Sequence, residues 1–320
     1  MLFFSSLLQT NPAYKPAANR LFAALDSSGT EYQLLSGTRD IWLRDFMPVQ
    51  IQDGSFVSFR YEPSYLENAA ELKTNFKNDL SSQFSFSVTY SDINLDGGNI
   101  VFSPSKEKAI ISNRIFLENS AYRPAALIQK LENLLQAQII IIPSLPSDMT
   151  GHSDGMVRFL DENTVIGNDT PTKNGLEQRI ESVLTNHGID VIDFPYFSSS
   201  NSSAIGCYIN FLETDRYIFL PVFGNTMDDK AIVIAEKIFS KTIVPVNINE
   251  IAKQGGVLNC ISWETKHPDK IQKIESEKSL QSNDAFIQST DIKGNGKGAV
   301  SFTEKLHLAN LQAVPEWTFR

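Results

Sequence analysis

Amphipathic helical stretches recur near residues 68–82, 122–136, 174–187 and 228–240, a period of about 52 residues that limits the fold before any single motif is read. Each is followed at the same spacing by a β-rich run: FSFSVTY from Phe84, AQIIIIP from Ala137, IDVIDFP from Ile189 and KTIVPVN from Lys241. The same phase carried backwards predicts a helix near Pro16 to Leu25 and a strand at Tyr32 to Leu35, which makes about five units. Two further β-like stretches lie between each strand and the next helix, such as MPVQI with FVSFRY, NIVFS with KAIISN, and MVRFL with TVIGN. The unit therefore reads strand, strand, strand, helix. Units of this kind cannot bury their faces alone, and closing several around an axis brings their loops to a central cavity whose residues come from different repeats. The competing reading is an ordinary α/β sandwich with evenly spaced helices.

The repeats end near residue 265. KHPDKIQKIESEKSLQSND and KGNGKG are polar and lack β alternation, so residues 1–265 are expected to form a single domain. Residues 266–320 are expected to form a polar extension, partly disordered or docked at the periphery. A net charge of −9 and a pI near 5.0 leave no clustered basic surface for nucleic acid and suit a small cationic ligand. No apolar run reaches membrane-spanning length. The start, MLFFSSLLQT, lacks a basic flank and a small-residue cleavage site, so a cytoplasmic protein with free Cys207 and Cys260 is expected.

Four short clusters can carry chemistry. In TRDIWLRDFMP, Trp42 and Asp45 can recognise a cation through a ring face and a carboxylate; a solvated salt bridge from Asp45 to Arg44 or Arg39 is the plainer alternative. In GHSDG, an extended backbone would point His152 and Asp154 to one face, where an imidazole can move protons and a carboxylate can hold a cation. Metal is disfavoured, since His187, His267 and His307 supply no close second ligand pair. In GGVLNCISW, Cys260 sits in a β-like run; a lone cysteine is often a small buried hydrophobe, but one downstream of a His-x-Asp motif fits a thiol nucleophile. Cys207 lacks such flanks and is assigned to packing. In LDGGNI, Asp96 precedes two glycines that allow close backbone approach, or simply a turn.

Together the clusters resemble the agmatine deiminase and bacterial peptidyl-arginine deiminase family of guanidine-modifying enzymes over most of residues 30 to 265. The family's Trp-x-Arg-Asp segment resembles Trp42 to Asp45, its Gly-Gly-Asn turn Gly97 to Asn99, its Gly-His-x-Asp Gly151 to Asp154, its Tyr-x-Asn-Phe strand Tyr208 to Phe211, and its last cysteine Cys260. The resemblance implies a five-bladed pseudosymmetric α/β propeller, the pentein fold. It also implies that Asp45 and Asp154 grip a guanidinium, that Cys260 attacks its carbon, and that His152 protonates departing ammonia and then activates water. Trp42, Asp96, Gly98, Asn99 and Asn210 would bind substrate. The implied partner is a small cationic guanidine, agmatine first and an arginine derivative second, with no cofactor, no metal, no nucleic acid and no membrane. A homo-oligomer stays open, as does a non-catalytic binding protein of the same fold. Met47 stands where the family commonly has Gly, Asp96 where agmatine-hydrolysing members commonly have Glu, and GGVLN departs from the usual Gly-Gly-Gly-Asn-Ile-His. These departures bear on substrate choice more than on reaction class.

Overall fold

Helix Pro124–Leu135 shows how a unit is made. Its proline sits in the first turn, where the missing N–H is one the helix could not have paired. Leu127, Leu131 and Leu135 follow at four-residue intervals, so one stripe is buried, and Gln136 stops the helix at φ 52°. The stripe shares one core cluster with Ile51, Val57, Ile93, Ala109, Ile111 and Ile139. Helix Gly175–Asn186 repeats the arrangement one unit later, with Leu176, Ile180 and Leu184 against Ile110, Ile140, Ile142 and Val165. The middle strand KAIIS thus feeds two cores, Ala109 and Ile111 into one and Ile110 into the next. Burial of both faces explains why it reads as a continuous apolar run instead of an alternating one.

The computed structural model describes residues 1–52, 55–144, 148–170, 175–200 and 202–266; the expected extension after Lys266 lies outside the described residues. Within them the strands are β1 (Leu2–Ser5), β2 (Tyr32–Leu35), β3 (Val49–Gln52), β4 (Ser55–Arg60), β5 (Val88–Asn94), β6 (Val101–Phe102), β7 (Lys108–Ser112) and β8 (Gln138–Ile142). They continue with β9 (Val157–Phe159), β10 (Thr164–Asp169), β11 (Asp190–Pro195), β12 (Leu212–Glu213), β13 (Tyr217–Val222), β14 (Thr242–Asn247) and β15 (Ser262–Glu264). They form five three-stranded sheets. In each, the first strand runs antiparallel to the middle one, and the middle one pairs in parallel with the third. A parallel pair needs a crossover. Helices Lys15–Ser28, Pro124–Leu135, Gly175–Asn186 and Met227–Ile238 supply four of the five.

The remaining sheet joins the two ends of the described chain. β15 supplies the antiparallel strand beside β1, with Phe3 opposite Trp263, and the amino group of Met1 donates to the Thr265 carbonyl at 2.9 Å. Among the described residues no helix is long and apolar enough to cross a membrane.

The second unit departs from expectation. Residues 68–82 are not one α-helix: they break into 3₁₀ turns Ala70–Leu72 and Ser81–Gln83 around a π-turn Phe76–Leu80. The Arg39 N–H donates to Oγ1 of buried Thr74 at 2.9 Å. Asn75 caps the Asn78 N–H and gives its own N–H to Asp79 Oδ2 at 2.8 Å. The Asn75 bonds are local and compete with the helical ladder, while Thr74 is held by a distant loop. The strand predicted from Phe84 starts at Val88, because Phe84 and Phe86 instead turn onto Phe76, Phe3 and Trp263 in an aromatic cluster.

Candidate active site

The sequence motifs occupy equivalent positions in their units, each just before the first strand of a sheet. Helix Leu43–Phe46 precedes β3, turn Gly97–Asn99 precedes β6, turn Ser153–Gly155 precedes β9, Asn210 precedes β12, and Cys260 precedes β15. Trp42, Asp45, His152, Asp154, Asn210 and Cys260 line one cavity. Four units therefore contribute directly to one site, and the unit of Asp96 supports it from behind.

Cys260 lies in the turn before β15, not in a strand as expected. Its backbone N–H and its Sγ each stand 3.3 Å from Asn210 Oδ1, and Sγ is 3.8 Å from Asp154 Oδ2. Asp154 Oδ2 also accepts from Asn259 Nδ2 at 2.7 Å. His152 is extended at φ −70°, ψ 140°, but Asp154 sits in a 3₁₀ turn; the two still reach the same cavity. His152 Nε2 is 2.9 Å from Asp96 Oδ2, and Nδ1 is 3.6 Å from Asp45 Oδ1. Tyr65 donates to the same Asp96 oxygen at 2.7 Å.

Glycines allow this crowding. A Cβ on Gly98 would stand 2.6 Å from Asp45 Oδ1 and 2.7 Å from His152 Nδ1. A Cβ on Gly256 would stand 2.4 Å from the Trp42 ring and 3.0 Å from the Cys260 Cβ. The departure GGVLN therefore still supplies the glycine that Trp42 requires.

The electrostatics are those of an acidic cage. Burial pushes Asp45 above the carboxylate range, the imidazole of His152 offsets part of the rise, and Asp96 and Asp154 add to it. Burial pulls His152 down, but Asp45 and Asp96 outweigh it and the imidazole is raised overall. Burial, then Asp154 and Asp45, hold the Cys260 thiol well above its ordinary value. By themselves these residues favour a neutral thiol among carboxylates. A cation placed between them would relieve the repulsion and favour the thiolate.

Several expectations change place. The salt-bridge alternative for Asp45 does not form: Arg44 pairs with Glu264, and Arg39 with Asp79 at 3.2 Å. Asp96, Gly98 and Asn99, expected to bind substrate, are not among the residues lining this cavity, and Asp96 and Asn99 line a small pocket beside it together with His152 and Tyr65. Asp96 holds His152, the Gly98 N–H donates to Asp45 Oδ1 at 3.2 Å, and Asn99 Oδ1 accepts from the N–H groups of Ser112 and Ser153 at 2.9 and 3.2 Å. They orient the groups that face the cavity. Cys207, assigned to packing, is buried and also lines the cavity, and burial pushes its thiol up to about 12.

Asn259, Tyr65 and Asp40 were not anticipated. Asn259 flanks Cys260 directly, and that adjacency was the one available signal; its partner Asp154 is 105 residues away. Arg158 donates to Asn259 Oδ1 at 2.9 Å, which fixes the amide with its NH₂ toward Asp154. Among the described residues no three His, Cys, Asp or Glu side chains form a metal-holding group.

Loops of separate small sheets bring a thiol, an imidazole and paired carboxylates together in an α/β fold, and the family model that matches the chain is one of deiminases. Residues 7–265 match the Porphyromonas-type peptidyl-arginine deiminase family, and the chain belongs to it. Among solved structures, a protein provisionally described as a peptidyl-arginine deiminase is 16% identical over 82% of this chain and 94% of that one, with a TM-score of 0.67. Agmatine deiminase of C. jejuni is 20% identical over 82% and 92%, with a TM-score of 0.63. Agmatine deiminase of Enterococcus faecalis is 18% identical over 69% and 73%, with a TM-score of 0.57. At these identities the likeness carries the fold and not the substrate. No curated protein sequence matches the chain.

Proposed function

We propose that the protein hydrolyses agmatine to N-carbamoylputrescine and ammonia through a covalent amidino intermediate on Cys260. The observation that carries this reading is the convergence of Cys260, His152, Asp45 and Asp154 on one cavity. A guanidinium carbon is a poor electrophile because its charge is spread over three nitrogens, so a site must fix its geometry and supply a soft nucleophile. Asp45 and Asp154 hold the nitrogens. Sγ attacks the central carbon and forms a C–S bond. The terminal C–N bond breaks, and the nitrogen leaves as ammonia with a proton from His152. Water then attacks the amidino carbon, giving its proton to His152, and the C–S bond breaks to return the thiolate. Balance requires one water per ammonia, and these residues need no cofactor or metal.

The five sheets fit a five-bladed α/β propeller of residues 1–265 with this cavity on its axis, in a cytoplasmic setting. The second reading is an arginine derivative, peptidyl-arginine first, supported by the family's own description. Ammonia release from agmatine, free arginine and a blocked arginine peptide, each with a chelator present, separates them. Release from agmatine alone supports the first reading, and release from the peptide alone supports the second. Silence on all three refutes both and favours a non-catalytic relative.

A further inference from the structure

Four carboxylates line the cavity: Asp40, Asp45, Asp148 and Asp154. Three are satisfied by the protein. Asp45 accepts from Gly98 and faces His152, and Asp154 accepts from Asn259. Asp148 Oδ1 accepts from the Thr150 and Gly151 N–H groups at 3.0 and 2.9 Å. Asp40 is different. Its Oδ1 takes the Ile41 N–H at 2.7 Å, while its Oδ2 is buried and, among the described residues, has no hydrogen-bond partner and no pairing cation. The side chain is 6% exposed, and burial pushes its carboxyl up to about 7. A buried carboxylate oxygen with no partner is costly, and such groups are ordinarily paired.

What surrounds Asp40 indicates what would satisfy it. The Trp42, Tyr61 and Tyr65 side chains line the same cavity. Tyr61 lies within electrostatic reach of Asp45, Asp96 and Asp40, so aromatic surface and the carboxylates Asp40 and Asp45 share one cavity wall. An apolar methylene chain suits that surface, and a cation suits each end.

We propose that Asp40 is a second cation subsite, whose free Oδ2 takes the primary ammonium of an aminoalkylguanidine while Asp45 and Asp154 hold its guanidinium. The inference rests on the guanidine-hydrolase reading and deepens it. A substrate with two cationic ends is satisfied at both carboxylates, whereas the α-carboxylate of arginine would be repelled by Asp40 and the neutral backbone of an arginyl peptide would leave it unpaired.

The test compares agmatine with n-butylguanidine, which has the same chain and no amine, on the wild-type protein and on Asp40→Asn. The expected result is a roughly 10- to 100-fold loss of kcat/KM for agmatine, the range for a hydrogen bond to a charged group, with little change for butylguanidine. An equal loss on both substrates overturns the inference. So does no loss on agmatine. Binding of the two ligands to Cys260→Ala, with and without Asp40→Asn, separates the same outcomes without turnover. Selective weakening of agmatine supports the subsite even if hydrolysis itself is absent. Equal weakening, no change, or no binding of agmatine at all refutes it.

Discussion

Gly98→Ala places one methyl group where the active site has no room for it. The new Cβ would meet Asp45 Oδ1 at 2.6 Å and His152 Nδ1 at 2.7 Å, against an ordinary contact beginning at 3.4 Å. Each group would have to retreat by about 0.7 to 0.8 Å, and neither is a free surface end. Asp45 is 8% exposed and His152 7%, and His152 is tied to Asp96 at 2.9 Å on its far side. A displacement near 1 Å of groups that fix a reacting geometry costs on the order of 100-fold in rate, which corresponds to about 2.7 kcal/mol of transition-state stabilisation. Forcing an extra methylene into a packed site costs about 1 to 3 kcal/mol of stability, so the variant should still fold. The measurement is kcat/KM for ammonia release beside a melting curve. Activity within about threefold of wild type in a folded Gly98→Ala protein would refute the reasoning, because Asp45 and His152 could then be moved apart without consequence.

Other outcomes follow from the same geometry. Cys260→Ala should abolish turnover with the melting temperature nearly unchanged, while Cys207→Ala should lower stability by about 1 to 2 kcal/mol and keep the covalent chemistry, as mass spectrometry of the trapped amidino adduct would show. Asn259→Ala leaves Asp154 Oδ2 and Arg158 short of a partner, so kcat/KM should fall roughly tenfold or more; unchanged kinetics would remove Asn259 from the site. Asp45 must be ionised to hold a guanidinium, and burial raises its pKa, so kcat/KM should climb with pH above the usual carboxylate range, by up to about tenfold per pH unit. A profile flat from pH 5 upward would contradict this. For Asp40 the folded value of about 7 exceeds the ordinary 3.8. Its contribution to stability is then present below about pH 4 and lost as pH rises through 7. Asp40→Asn should therefore stabilise the ligand-free protein at pH 8, by at most about 4 kcal/mol, seen as a rise in melting temperature; a fall would count against an unpaired carboxylate.

The periodicity that organised the sequence is a local property, and the structure follows it wherever the helix has an uninterrupted stripe, as at Leu127, Leu131 and Leu135. It failed at residues 68–82, where the Asn75 side chain satisfies a backbone group of the segment itself, a competition that hydrophobic spacing does not register. The positions of the motifs were legible for the same reason as the repeat: each falls just before the first strand of its unit. The contacts among them were not. Asp96 meets His152 across 56 residues of chain and Asn259 meets Asp154 across 105; such pairs depend on how the sheets are set around the cavity. Asp40 was invisible for a different reason, since an orphaned oxygen is defined by what fails to surround it.

The sheet formed by β15, β1 and β2 has a temporal consequence. A chain emerging from the ribosome presents β1 and β2 early, but their antiparallel neighbour emerges last among the described strands, and Cys260 emerges only two residues before it. Until that strand docks, Asp45, Asp154 and His152 have no thiol to work with, and Trp263 has not yet closed onto Phe3. Domains generally fold as units during synthesis, so Cys260 and the sealing strand arrive in a single event. The Cys260 thiol and the closing strand are therefore both missing until residues 260–264 have emerged.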